Sequence, residues 1–426
     1  MARDGVLTTR TPLWFAFVAV HLLVGGLALF APNLPLGDVT IAYLRWVREG
    51  FATGEWVGID LPWVYPYPAL IPMVLSAVAG LRLYAVTWLV IVLLLNAAAL
   101  AVLTGVRERR HVAAGWWWVA FTALLGPIAV ARIDAVSVAM AIPAVVVLAT
   151  HPRLATALLT IAAWIKIWPA AIVIALVAAS RRRGRIFLAA LVTSVTILLI
   201  GLILGGTTSL GFLTVQGVRG IQVESVIGTA WMWRAALPGS DTSVAYDPVI
   251  LTYQLYGPGL DAVAALATPL MVVAAGAAAL LGVRAVRRGG NAAGNSVESA
   301  VVPPLMLALV MVFIVLNKVG SPQIMSWVAV PVIAGLVASR HSRDSFALPA
   351  AGALLIAGTT QLIYPYLYNH LLGLDPALLV VLSLRNATCV ALLVWALVRL
   401  GRLGAVRPVP ASPAPDSTAP VERIPS

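Results

Sequence analysis

Charge is what this chain of 426 residues has least of: Asp, Glu, Lys and Arg together make up 10% of it, against roughly 25% in an ordinary soluble domain. Too little polar surface remains to cover a soluble core of this size, so a water-soluble globular fold is excluded. There is one cysteine, Cys389, and it lies inside a hydrophobic segment. That excludes a disulfide framework and a cysteine metal site. Five histidines (His21, His111, His151, His341 and His370) are scattered without ligand spacing, so no metal is expected. No Gly-x-x-x-x-Gly-Lys-Ser/Thr loop is present to cradle nucleotide phosphates, and no cofactor is expected. Internal repeats are missing too, which weighs against a transporter built from inverted halves. Alternating ten-residue apolar stretches do not occur, which excludes a membrane β-barrel.

What is there is continuous apolar sequence: 61% hydrophobic residues and a mean hydropathy of +0.97. The chain reads as an all-α polytopic membrane protein with the lipid bilayer as its solvent. Its net charge of +12 and pI near 10.5 do not point to nucleic acid. The basic residues come in short runs at 107–111, 181–185, 284–288, 340–343 and 399–407 that punctuate the apolar segments, the pattern of positive-inside loops. The bias of arginine over lysine and the richness in alanine suit GC-rich coding DNA, as in actinobacteria.

Placing the basic runs in the cytoplasm fixes the topology. Spans are expected at 13–31, 83–105, 113–131, 135–150, 186–204, 260–282, 300–317, 322–338, 346–363 and 376–398. The apolar stretch 66–81 has prolines at 66, 68 and 72 and is short of the about 20 residues a span needs. As a span it would put the run 107–111 outside, so it reads as an external interfacial helix in the first loop. Segment 154–180 is interrupted by Lys166-Ile167-Trp168-Pro169, and as one span it would separate Arg153 from the run 181–185. As two half-helices it keeps both basic flanks inside, with Lys166 facing an outward cavity. The count is then 12 membrane segments, the N-terminus is cytoplasmic, residues 1–403 form one membrane domain, and 404–426 is a disordered Pro-rich cytoplasmic tail.

Ten of the 16 acids then lie outside, and the external face is where chemistry is expected. Asp38 follows the first span and is a candidate general base, or it caps the helix expected at 39–48. Asp60, ahead of Leu61-Pro62, is a possible substrate ligand or a turn former. Only two of the 28 basic residues are lysines, Lys166 and Lys318, and both fall at external segment ends with Arg132. These three suit a lipid phosphate, or they snorkel to the headgroups. Arg219, Arg234, Tyr65, Asp134 and Gln323 are further possible substrate ligands. The dense external aromatics form either an interfacial belt or a platform for sugar rings.

In chain order, Gly37-Asp38, Tyr65-Pro66-Tyr67-Pro68-Ala69, Arg132-Ile133-Asp134, Trp164-Ile165-Lys166-Ile167-Trp168-Pro169, and Lys318-Val319-Gly320-Ser321-Pro322 running on to Trp327 resemble glycosyltransferase family 87, a branch of the C-type membrane glycosyltransferases. The resemblance covers roughly residues 13–400. It implies an external-face hexosyl- or pentosyltransferase that uses a polyprenyl-phosphate sugar donor, mannose or arabinofuranose, and a glycolipid or polysaccharide acceptor of the cell envelope. It implies inversion with Asp38 as base, donor phosphate near Lys166, and a substrate-side turn at Ser321-Pro322. The chain departs from the pattern in two places. Arg132-Ile133-Asp134-Ala135 stands where relatives often carry Gly-Gln-x-Asn, and Val-Ala-Val follows Trp327 where relatives often carry histidines. A flippase or transporter of lipid-linked sugars and a non-catalytic envelope scaffold are the other readings. A transporter is expected to carry polar residues in mid-span on both membrane halves, and the spans here are nearly clean.

Overall fold

The computed structural model describes residues 10–105, 111–215, 219–248, 250, 252–288, 295–339 and 345–405. The basic residues 107–110 and 340–343 and the tail beyond 405 lie outside the described residues. The first helix α1 (Arg10–Phe30) leads through a π-helical turn, Asp38–Tyr43, into the amphipathic α2 (Leu44–Thr53), and a short α3 (Leu70–Leu75) follows a 3-10 turn at Tyr67–Ala69. Next come α4 (Tyr84–Thr104), α5 (Val112–Leu125), α6 (Ile133–Val147), the half-helices α7 (Pro152–Ile165) and α8 (Pro169–Ala179), and α9 (Arg183–Gly205). Beyond a long connection lie α11 (Leu260–Arg288), α12 (Asn295–Val315), α13 (Ala329–Ser339), α14 (Ala347–Gln361) and α15 (Pro376–Ala405), the connection itself holding α10 (Thr229–Ala235) and the strands β1 (Ser243–Asp247) and β2 (Thr252–Tyr256). Among the described residues, nine helical stretches are long and apolar enough to cross a membrane, and α6, α7 and α8 are shorter apolar helices. Together they match the expected 12 segments. As expected, 66–81 forms a short helix instead of a span.

The bundle is built around α12, whose residues Leu305–Met311 are buried on every side. Helices α8, α11, α13 and α15 pack against it. A helix apolar all round belongs at the centre of such a bundle. At the periphery α9 and α11 present Leu191, Val195, Ile203, Leu266, Val273 and Leu280 outward. Such faces belong in lipid, where they need no protein partner.

The break between α7 and α8 has a local cause. Lys166 adopts an extended backbone (φ −149°, ψ 125°) that ends α7, and Pro169 occupies the first turn of α8, the helix position where a missing N–H costs nothing. The two halves, about 21 and 16 Å long at 1.5 Å per residue, turn back on each other. Arg182 Nη1 at the exit of α8 donates to the Ala149 carbonyl just before α7 at 3.1 Å. Both flanks of the pair therefore sit at one end of the bundle.

That end also gathers Arg10 against the Thr104 carbonyl, Ser180 against Glu298, and Arg288 against the Gly404 carbonyl. The opposite end carries the first loop, the start of α6, the α7–α8 break, the 206–259 connection, the turn before α13 and the 362–376 segment. Within the 206–259 connection, β1 and β2 form an antiparallel hairpin pairing Tyr246 with Tyr253. Residues 221–223 extend it: Leu255 N–H donates to Ile221 O at 2.9 Å and Val223 N–H to Tyr253 O at 3.4 Å.

Candidate functional site

Asp38 opens the π-helical turn and makes no capping hydrogen bond; Gly37 occupies the cap position. Its carboxylate instead meets a guanidinium, with Arg132 Nε 3.1 Å from Oδ2, and its side chain keeps 38% exposure. Arg132 reaches it from the extended residue just before α6. The rest of the Arg132 fork is occupied: Nη1 donates to the Pro35 and Ala131 carbonyls, and Nη2 to the Tyr364 hydroxyl at 3.4 Å. Tyr364 donates in turn to the Asn33 carbonyl at 2.8 Å. Arg132, expected at the donor phosphate, is buried among four partners, and what it holds in this structure is Asp38.

Two residues on, Asp134 points the other way. It lies in the first turn of α6 and its side chain is 2% exposed. Oδ1 accepts from Trp327 Nε1 at 2.6 Å, and Oδ2 faces Lys166 Nζ at 3.5 Å. Both oxygens of Asp134, a possible substrate ligand from its sequence position, are turned into the protein. Asp134 anchors the lysine of the broken helix. Trp327 stacks on Trp168 (centroids 5.7 Å, 11° between planes). Trp168 Nε1 donates to Ser137 Oγ at 2.9 Å, and Ser137 Oγ donates to the Asp134 carbonyl. On its other side the Lys166 ammonium sits 4.8 Å above the Tyr65 ring, a cation–π contact. Tyr43, fully buried, hydrogen-bonds the Ile133 amide through its hydroxyl and lies within electrostatic reach of Asp38, Tyr65, Arg132 and Asp134. The two ion pairs and Tyr65 are thus one neighbourhood.

Arg219 and Lys318 complete it. Arg219 is close enough to repel both lysines, and its Nε is buried with no hydrogen-bond partner among the described residues. Burial, and then the Arg219 guanidinium, push the Lys318 ammonium below its ordinary range. An anion bound between two such cations would relieve their repulsion. Both are set by backbone packing: Gln222 N–H donates to the Lys318 carbonyl at 3.0 Å, and Gly320 lies against the Glu224–Ser225 backbone where no Cβ has room. Behind them Arg385, wholly buried in α15, pairs with the Glu224 carboxylate at 2.5 Å and donates to the Glu224 carbonyl at 2.7 Å. Asn386 adds bonds to Ser225 O and Thr229 Oγ1.

The remaining sequence candidates stand apart. Asp60 is exposed and accepts from the Trp56 amide at 2.7 Å, so it closes a turn. Arg234 is exposed on α10 and pairs with Asp241 at 2.7 Å. Gln323 lies half-buried in the 3-10 turn Pro322–Val328, where its carbonyl accepts from Ser326. Sequence reasoning missed Tyr43, Tyr364, Glu224 and Arg385 as organisers of the site. For Arg385 a signal was available: an arginine nine residues into an apolar segment needs a buried acid, although hydropathy does not single out Glu224 among the acids of its loop.

Comparison with curated proteins and with solved structures finds no match. Residues 63–241 of the chain, which hold Tyr65, Arg132, Asp134, Lys166 and Arg219 but not Asp38 or Lys318, match the family model of glycosyltransferase family 87.

Proposed function

We propose that the chain transfers a sugar, mannose first and arabinofuranose second, from a polyprenyl-phosphate donor to a glycolipid or polysaccharide acceptor of the envelope, at the extracytoplasmic face and with inversion. The observation that carries this reading is the half-exposed Asp38 carboxylate, held by Arg132 at the same bundle end as Lys166, Arg219 and Lys318. The acceptor hydroxyl oxygen attacks the anomeric carbon while its proton passes to Asp38. The bond from that carbon to the phosphate oxygen breaks, and polyprenyl phosphate leaves with the electron pair. The three cations meet the charge that grows on the phosphate. Arg132 orients Asp38.

The test is turnover of purified protein in detergent with polyprenyl-phosphate mannose and polyprenyl-phosphate arabinofuranose. Asp38→Asn removes the proton acceptor and is expected to cut kcat by about 10²–10⁴ with the donor KM little changed. A near-normal rate for Asp38→Asn would remove the assigned base.

A further inference from the structure

From the hairpin a single file of tyrosines runs inward to the Asp38–Arg132 pair. Tyr246 on β1 and Tyr253 on β2 face each other across the strands with ring centroids 5.1 Å apart. Tyr253 meets Tyr368 at 6.0 Å, and Tyr368 meets Tyr364 at 5.1 Å. Tyr364 is the residue whose hydroxyl receives Arg132. Exposure falls along the file, from 48% at Tyr246 to 8% at Tyr364, with Tyr253 and Tyr368 half-buried. The four rings come from three separate segments. A headgroup belt would spread its aromatics around the rim; this set is contiguous and leads from solvent to one carboxylate.

We propose that this file is an acceptor-saccharide track, on which consecutive sugar units of an oligosaccharide lie so that the terminal hydroxyl arrives at Asp38. The proposal rests on the glycosyltransferase reading for what happens at the inner end. The chemistry of the file suits the ligand. A sugar offers one face of C–H bonds to a ring and a rim of hydroxyls that a phenol both donates to and accepts from. The Tyr364 hydroxyl is taken up by Arg132 and Asn33. At Tyr246, Tyr253 and Tyr368 phenylalanine would fill a purely structural seam equally well, yet each carries a hydroxyl. The ring-to-ring steps are comparable to one sugar unit. The platform is also firm: Gln222 joins the hairpin through an antiparallel bridge to Gln254, and Asp247 is held by Gln254 Nε2 at 2.7 Å.

Tyr246 is the residue to change, because it lies outside the proposed catalytic group and its half-exposed ring bears little of the fold. The probes are octyl glycosides of mannotriose and of arabinofuranotriose, with octyl mannoside as the short control, titrated against purified protein by saturation-transfer NMR. Tyr246→Ala is expected to bind its preferred trisaccharide about tenfold more weakly, Tyr246→Trp to restore it, and octyl mannoside to be unaffected. In turnover the same variant raises the trisaccharide KM and leaves kcat unchanged. Asp38→Asn, by contrast, keeps trisaccharide binding. Absence of trisaccharide binding by the parent protein, or equal binding by Tyr246→Ala, overturns the track. If the binding pattern holds while the parent transfers no sugar, the track stands and the transferase reading is the one that fails.

Discussion

Lys318 is an ammonium held where an ammonium is disfavoured. Burial and Arg219 both push its proton off, so it deprotonates below the ordinary lysine value, and a bound phosphate reverses that tendency. The sign follows: donor affinity that depends on the charged form is complete at neutral pH and is lost as pH rises through the lowered value. Between about pH 7 and about pH 10, the parent's donor KM is expected to climb, and that of Lys318→Arg to stay level because guanidinium keeps its proton. A flat parent profile would take Lys318 out of the phosphate site. The neighbouring Arg132-Ile133-Asp134 shows what single residues conceal in sequence. Reading each charge by position assigned both to substrate, whereas one turn of backbone sends the arginine to Asp38 and the aspartate to Lys166. Hydropathy carries no record of such long-range pairings, since the partners lie 94 and 32 positions away.

Helices were far more legible than pairings. Their boundaries follow from apolar run length and the positive runs, and even the α7–α8 break was marked by a lysine and a proline inside an apolar stretch. The hairpin was not legible, because its ten strand residues sit in a polar connection and depend on residues 221–223 for company. That connection is bolted to α15 by Arg385 and Glu224, and the bolt can be tested. Arg385→Leu leaves a carboxylate buried alone and is expected to lower stability by about 3–5 kcal/mol, read as the thermal midpoint in detergent. Burial raises the Glu224 carboxyl and Arg385 pulls it back, so without the arginine the folded form binds the proton more tightly than the unfolded form. Stability of Arg385→Leu should then rise as pH falls through that raised value. The double variant Arg385→Leu, Glu224→Leu should lose this slope and regain much of the midpoint. An Arg385→Leu protein that melts like the parent would show that the pair holds nothing.

The bundle has two chemically distinct ends. The described basic runs and Glu298 lie at one, while Asp38, Asp134, Glu224 and the cation group lie at the other. We propose that the first end is cytoplasmic, on the positive-inside rule. Cys389 is buried, so a Cys389→Ala background is suited to thiol labelling. Gly184→Cys projects into open space beside the basic run and should react only from the cytoplasm, whereas Ala236→Cys on the opposite end should react only from outside. A reversed pattern would invert the whole assignment and place the site in the cytoplasm.

Arg132 pairs with Asp38 and Lys166 with Asp134, and Arg219 stands near enough to repel both lysines, so the group favours a more highly charged anion over a less charged one. On the proposed chemistry a sugar phosphodiester brings one negative charge, and the polyprenyl phosphate left after transfer would be a monoester with a charge near −1.5 to about −2 at neutral pH. The spent carrier therefore balances the site better than the loaded one does. Turnover is expected to be limited by carrier release, with added polyprenyl phosphate inhibiting competitively at concentrations below the donor KM; inhibition only well above that KM would show the excess charge to be satisfied some other way. An enzyme of this kind would work in step with whatever removes or recharges its carrier, and its rate in the membrane would be set by the carrier's loaded fraction more than by its total amount.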